Sequence, residues 1–155
     1  MIDTPELVNS PAQRIAFVHL TIPRSEIRHV MGPGLQEVIA AVAAAGQRPA
    51  GPWFTHHLKM DPAVFDFRIC VPVATTIAPS GRVQPGELPA RARVARTVYR
   101  GPYEGLPGAW GEFEKWIAAN GHTSAADLWE VYAAGPESGP DPSQWQTELN
   151  RPLVE

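Results

Sequence analysis

The chain has a single cysteine, Cys70, which excludes an internal disulfide and fits a reducing compartment. It is also short of positive charge: 13 lysines and arginines stand against 16 aspartates and glutamates, a net charge of −3. Without a basic field to neutralise phosphates, direct nucleic-acid binding by this chain is not expected. Long hydrophobic runs are missing as well. The longest, Val38 to Ala45, is short and alanine-rich, well under the roughly 20 residues that cross a bilayer. Met1 to Gln13 lacks the basic start and apolar run of a secretory signal. His56 and His57 are adjacent, so on a strand they point to opposite faces and cannot share an ion. No glycine-rich phosphate cradle, Gly-x-Ser-x-Gly elbow or Walker pattern occurs. These absences predict a cytoplasmic domain with no metal, no cofactor and no membrane partner. At 155 residues it is one domain by size, 1–155, long enough to bury a core.

Turn formers are abundant, with 17 prolines and 13 glycines. Because apolar runs recur between them, they punctuate short elements and do not signal disorder. Only Ala78 to Ala90 and Gly135 to Gln144 read as loops. Arg14 to Leu20 reads as a strand, and Pro33 opens a helix with Leu35, Val38, Ile39 and Val42 at helical spacing, ended by Gly46. Strands follow at Trp53 to Leu58 and where Phe65, Phe67, Ile69 and Val71 alternate with polar residues. The same order then returns. Arg93 to Arg100 is a strand, and Pro107 opens a helix carrying Leu106, Trp110, Phe113 and Ile117 that closes at Asn120-Gly121. Leu128 to Ala133 and Trp145 to Leu149 are the last strands.

Pro33 answers Pro107, Gly46 answers Gly121, and Trp53 answers Trp129 at nearly constant offset. The expected fold is therefore α+β: two pseudo-symmetric β-α-β-β modules, about 14–73 and 91–153. They would form one antiparallel sheet with two helices on one face, and the opposite face would curve into a ligand cleft at the junction. If Trp53 matches Trp129, then Phe54 matches Glu130 and His56 matches Tyr132 across the pseudo-twofold axis.

Glu130 is the sharpest candidate. It sits within Leu128-Trp129-Glu130-Val131-Tyr132, and a carboxylate among strand hydrophobes is costly to bury unless its charge is used. Tyr132 shares its face by strand parity. Tyr99 lies on the strand leading to the turn Gly101-Pro102, and Tyr103 sits in that turn. Trp110 belongs to the helix stripe, where core packing competes with ligand contact. His56 on the proposed cleft face could donate a hydrogen bond or carry a proton. Glu148 reads first as a solvated strand residue and second as a site residue.

Several segments together resemble the gyrase-inhibitor-like family, also known as the effector-binding domain of bacterial multidrug-responsive transcription activators. They are Gly51-Pro52-Trp53-Phe54, Phe65-Asp66-Phe67 with Val71-Pro72-Val73, and Tyr99 through Leu106. Trp129-Glu130-Val131-Tyr132 and Trp145-Gln146-Thr147-Glu148-Leu149 with Pro152-Leu153 complete the set. The resemblance implies paired β-α-β-β modules and a cleft for bulky, often cationic aromatic compounds, with a buried carboxylate that maps onto Glu130. It also implies that some members are hydrolases that open cyclopropane rings in alkylating natural products. No DNA-reading segment accompanies the motifs, so direct transcription activation by this chain is not expected.

Three functions follow. The first is a stand-alone binder of hydrophobic aromatic or cationic small molecules, with Glu130, Tyr132, Phe54, His56, Tyr99, Trp110, Tyr103 and Glu148 as its site. The second is a cyclopropane-ring hydrolase on the same cleft, with Glu130 as base and Tyr132 or Tyr99 as donor. The third is a regulator or inhibitor that acts on a protein partner.

Overall fold

The computed structural model describes residues 2–134 and 141–154. In chain order the elements are β1 (Glu6–Ser10), β2 (Gln13–Pro23), α1 (Ile27–Ala44), β3 (Phe54–Met60), β4 (Val64–Pro72), β5 (Gln84–Leu88), β6 (Arg91–Arg100), α2 (Leu106–Ala119), β7 (Thr123–Ser124), β8 (Leu128–Ala134) and β9 (Gln146–Val154). The class is α+β, with antiparallel strands and two helices. The contacts divide the chain into two compact units, residues 11–90 and residues 1–10 with 91–155.

In the unit Pro11–Ala90 the strands lie in the order β3-β4-β2-β5. Alternation on β2 and β4 sends Ala16, Val18, Leu20, Phe67, Ile69 and Val71 to one face, where they pack with Val38 and Val42 of α1. Burying each large apolar side chain contributes roughly 1.5–3 kcal/mol, so this face holds the unit together. Two expectations need correction here. Helix α1 begins at Ile27, with Pro33 inside it, because the apolar stripe of Ile27, Val30 and Met31 already packs on the sheet one to two turns earlier. The stretch Ala78 to Ala90 contains β5, which pairs with β2 through Pro85↔Ala16 and Gly86↔Ile15. Pro85 is tolerated because β5 pairs on one side only within the unit. Gly86 is required because a Cβ there would come within 2.6 Å of the Phe17 ring.

In the other unit the order is β1-β6-β9-β8, with β7 added to β9. Helix α2 starts with Pro107 in its first turn and ends before Gly121, whose φ of 76° suits glycine. Its buried residues Ala109, Phe113 and Ile117 pack on Ala95, Tyr99 and Leu149. Of the stretch Gly135 to Gln144, residues 135–140 lie outside the described residues; Pro142–Gln144 forms a single 3-10 turn.

Candidate functional site

Strand β8 pairs with β9 so that Glu130 opposes Leu149 and Tyr132 opposes Thr147. Leu149 belongs to the core beneath α2. Glu130 and Tyr132 therefore face α2, and Trp129 and Val131 face the other way. This corrects the expected placement of Glu130 on the sheet face opposite the helices: within its unit, Glu130 lies on the helix side.

From α2, the Trp110 indole N–H donates to Glu130 Oε2 at 2.6 Å. The Tyr132 hydroxyl donates to Oε1 at 2.8 Å. Tyr103 meets Tyr132 edge-on, with ring centroids 5.9 Å apart, and lies 5.1 Å from the Trp145 ring. Trp145 is held beside the turn by its carbonyl, which accepts the Gly101 N–H at 3.0 Å. Glu130 keeps a little solvent contact as a residue, but its carboxyl is crowded on enough sides that desolvation raises its pKa. The two hydrogen bonds from Trp110 and Tyr132 pull the other way and do not cancel the burial. Both donors are neutral, and no basic side chain pairs with Glu130 among the described residues.

Tyr99 shares this face, two strands away across Thr147. Its hydroxyl is already committed, donating to the Pro102 carbonyl at 2.8 Å. A Cβ at Gly105 would fall 2.0 Å from that oxygen, so Tyr99 and Gly105 together shape the turn before α2. Glu148 lies on the face away from α2. It accepts from Asn150 at 3.1 Å and pairs with Arg96 at 3.4 Å, while Arg96 also donates to Asn150 at 2.7 Å. It braces β6 against β9 and is not brought to Glu130.

Phe54 and His56 belong to the other unit. They oppose Cys70 and Arg68 on β4, and both are buried on the face away from α1. The side chains of β3 on the helix side are Thr55 and His57, opposite Ile69 and Phe67. Relative to its own helix, then, Phe54 does not correspond to Glu130, nor His56 to Tyr132. The correspondence slips by one residue, which reverses the face.

Sequence reading missed two residues of the cluster. Trp145 reads as the start of β9, yet it precedes the strand and turns its ring to Tyr103. Thr147 is fully buried between Tyr99 and Tyr132, and its hydroxyl has no hydrogen-bond partner among the described residues. Parity with Leu149 was the signal available for Thr147. No group of His, Cys, Asp and Glu among the described residues could hold a metal ion, and no helix is long and apolar enough to cross a membrane.

The chain is thus an α+β fold of antiparallel strands in which a desolvated carboxylate and aromatic rings gather beside one helix. The chain belongs to the GyrI-like small molecule binding domain family, whose model matches residues 3–153. Its fold is shared with the C-terminal domain of EcmrR, at 22% identity and a TM-score of 0.85, covering 98% of each chain. In the EcmrR–DNA complex the same likeness covers 98% of this chain and 57% of the regulator, so the chain spans little more than half of that protein. A hydrolase from Listeria innocua has the fold at 13% identity and a TM-score of 0.70, covering 97% of this chain and 91% of that one. SAV2435 bound to tetraphenylphosphonium has it at 14% identity and a TM-score of 0.66, covering 98% and 94%. No curated protein sequence matches the chain.

Proposed function

We propose that this chain binds bulky, lipophilic aromatic cations, with Glu130 as their counter-charge. The observation that carries this reading is a desolvated carboxylate held only by the neutral donors Trp110 and Tyr132. A lipophilic cation gains from pairing with such a group because water competes weakly there. Trp110, Tyr103, Tyr132 and Trp145 supply π faces, each worth roughly 0.5–2 kcal/mol to a nearby cation. Support also comes from SAV2435, a protein of the same fold bound to tetraphenylphosphonium. The test is calorimetric titration with tetraphenylphosphonium and with neutral triphenylphosphine oxide. Saturable binding that favours the cation is expected; equal affinity for the two would refute the role of Glu130.

A hydrolytic reading has one specific observation in its favour. The raised pKa of Glu130 and its bond to Tyr132 suit a carboxylate that takes a proton. Water would add across a strained cyclopropane: its oxygen bonds to ring carbon, Glu130 accepts its proton, and the ring bond breaks. The electron pair of that bond passes to the substrate's conjugated system, which is then reprotonated. A ring-opened product heavier by one water, formed by the wild type and lost in Glu130→Gln, is the result this reading requires.

A further inference from the structure

The face of β2, β3 and β4 that turns away from α1 carries a second concentration of polar chemistry, independent of Glu130. Cross-strand register places His56, Arg68 and His19 in one row over three adjacent strands, and Lys59 opposes Asp66 in the next row. Four basic side chains thus meet one carboxylate, in a chain whose net charge is −3. That carboxylate is already engaged: Asp66 Oδ1 takes His19 at 2.5 Å and accepts from the Thr21 hydroxyl at 3.4 Å. These two contacts hold it to β2.

Arg68 is left without a counter-ion. Its guanidinium carbon lies 4.4 Å from the Phe17 ring centroid, within cation–π range. Its side chain makes no hydrogen bond or ion pair among the described residues, and its Nε–H is buried with no partner there. Arg14, Arg82, Arg91, Arg96, Arg100 and Arg151 each reach a carboxylate, amide or carbonyl oxygen. A buried unsatisfied donor on a charged group is costly, and a rigid fork of N–H groups matches the two oxygens of an oxyanion.

We infer that Arg68, backed by Phe17 and flanked by His56 and His19, is a binding site for a small oxyanion, a carboxylate or phosphate carried by a small molecule. Strands lie about 4.8 Å apart, so the row spans only about 10 Å. That width suits one anionic group and excludes an extended polyanion.

Two probes separate the possible sources: inorganic phosphate and benzoate, each titrated at constant ionic strength with chloride as the balancing ion. The expected result is saturable binding of at least one probe by calorimetry, with the Arg68 Nε–H resonance shifting along the same isotherm. Benzoate alone would identify an organic carboxylate site, and phosphate alone a phosphate site. The Arg68→Met variant should weaken binding at least tenfold, and Arg68→Lys should restore it only in part because it lacks the planar fork. No saturable binding of either probe, or unchanged affinity in Arg68→Met, would overturn the inference. Should Arg68→Met fail to fold, an Arg68 Nε–H resonance in the wild type that stays still while either probe saturates would overturn it equally.

Discussion

Replacing Glu130 by Gln tests the charge at the centre of the aromatic cluster while keeping its shape. The amide oxygen can still accept the Trp110 N–H, and the Tyr132 hydroxyl can turn to accept from the amide nitrogen, so the partners at 2.6 and 2.8 Å stay satisfied. What disappears is the ionised form. A cation about 4 Å from a carboxylate gains roughly 4 kcal/mol at an effective dielectric near 20. Two donors already offset part of that charge, and ionising the buried group has its own cost, since burial raises its pKa. The expected loss for tetraphenylphosphonium is therefore about 1.4–2.8 kcal/mol, or roughly ten- to a hundredfold in affinity. Neutral triphenylphosphine oxide should change by less than about threefold, because only the charge term of the interaction is removed. In the wild type, cation affinity should rise with pH as Glu130 ionises, with proton release measurable by calorimetry in buffers of different ionisation enthalpy. A raised carboxyl pKa also means that Glu130's own contribution to stability is fullest below the ordinary value of 4.5 and falls as pH rises through the folded-state value. Glu130→Gln should remove that decline. A variant that binds cation and neutral ligand with equally reduced affinity would refute the reasoning, as would a wild type with no linked proton.

His57 is stacked on Phe67 at 5.2 Å, and burial lowers its pKa to about 4 from 6.5. The unfolded chain then takes up a proton below pH 6.5 that the folded one refuses, so stability present above that pH drains away by roughly 3 kcal/mol toward pH 4. Urea titrations from pH 7 to 4 should show this slope in the wild type and not in His57→Phe. Gly105→Ala should destabilise the fold by about 1–3 kcal/mol, because its Cβ would overlap the Tyr99 hydroxyl; unchanged stability would mean that the turn relaxes freely. Cys70 is fully buried, with its thiol pKa pushed up by desolvation. It should react with a maleimide only at the rate of unfolding, and rapid labelling of native protein would contradict its placement.

Elements with a full period were legible from their residues. The alternation of Phe65, Phe67, Ile69 and Val71 predicts β4, and the stripe Trp110, Phe113 and Ile117 with Gly121 beyond it predicts α2. Elements whose stability comes from a neighbour were not. Pro85 and Gly86 signal a loop, yet they pair with β2 because the proline needs no second partner and the glycine fits beneath Phe17. Pro33 signals a helix start, yet packing of Ile27 and Met31 extends α1 before it. Glu130 stood out because its charge is incongruous among hydrophobes. Its surroundings did not, since the approach of Trp145 to Tyr103 rests on backbone bonds to Gly101 and Pro142 that no sequence period announces. Parity carried Tyr132 to the side of Glu130 within one strand. Carried between strands by way of Trp53, it failed, because a one-residue slip inverts the face.

Strand β1 opens the chain, yet it pairs with β6, with the whole of residues 11–90 between them. One unit is thus threaded around the other in sequence: its first strand emerges from the ribosome long before the four it must join. Until β6 is made, Leu7 and Val8 have no ladder, and the β6 edge that receives them exists only after the intervening unit has been synthesised. Folding order is written into this connectivity. The uninterrupted unit can close locally, whereas the one that carries Glu130 must wait until β9 has been made.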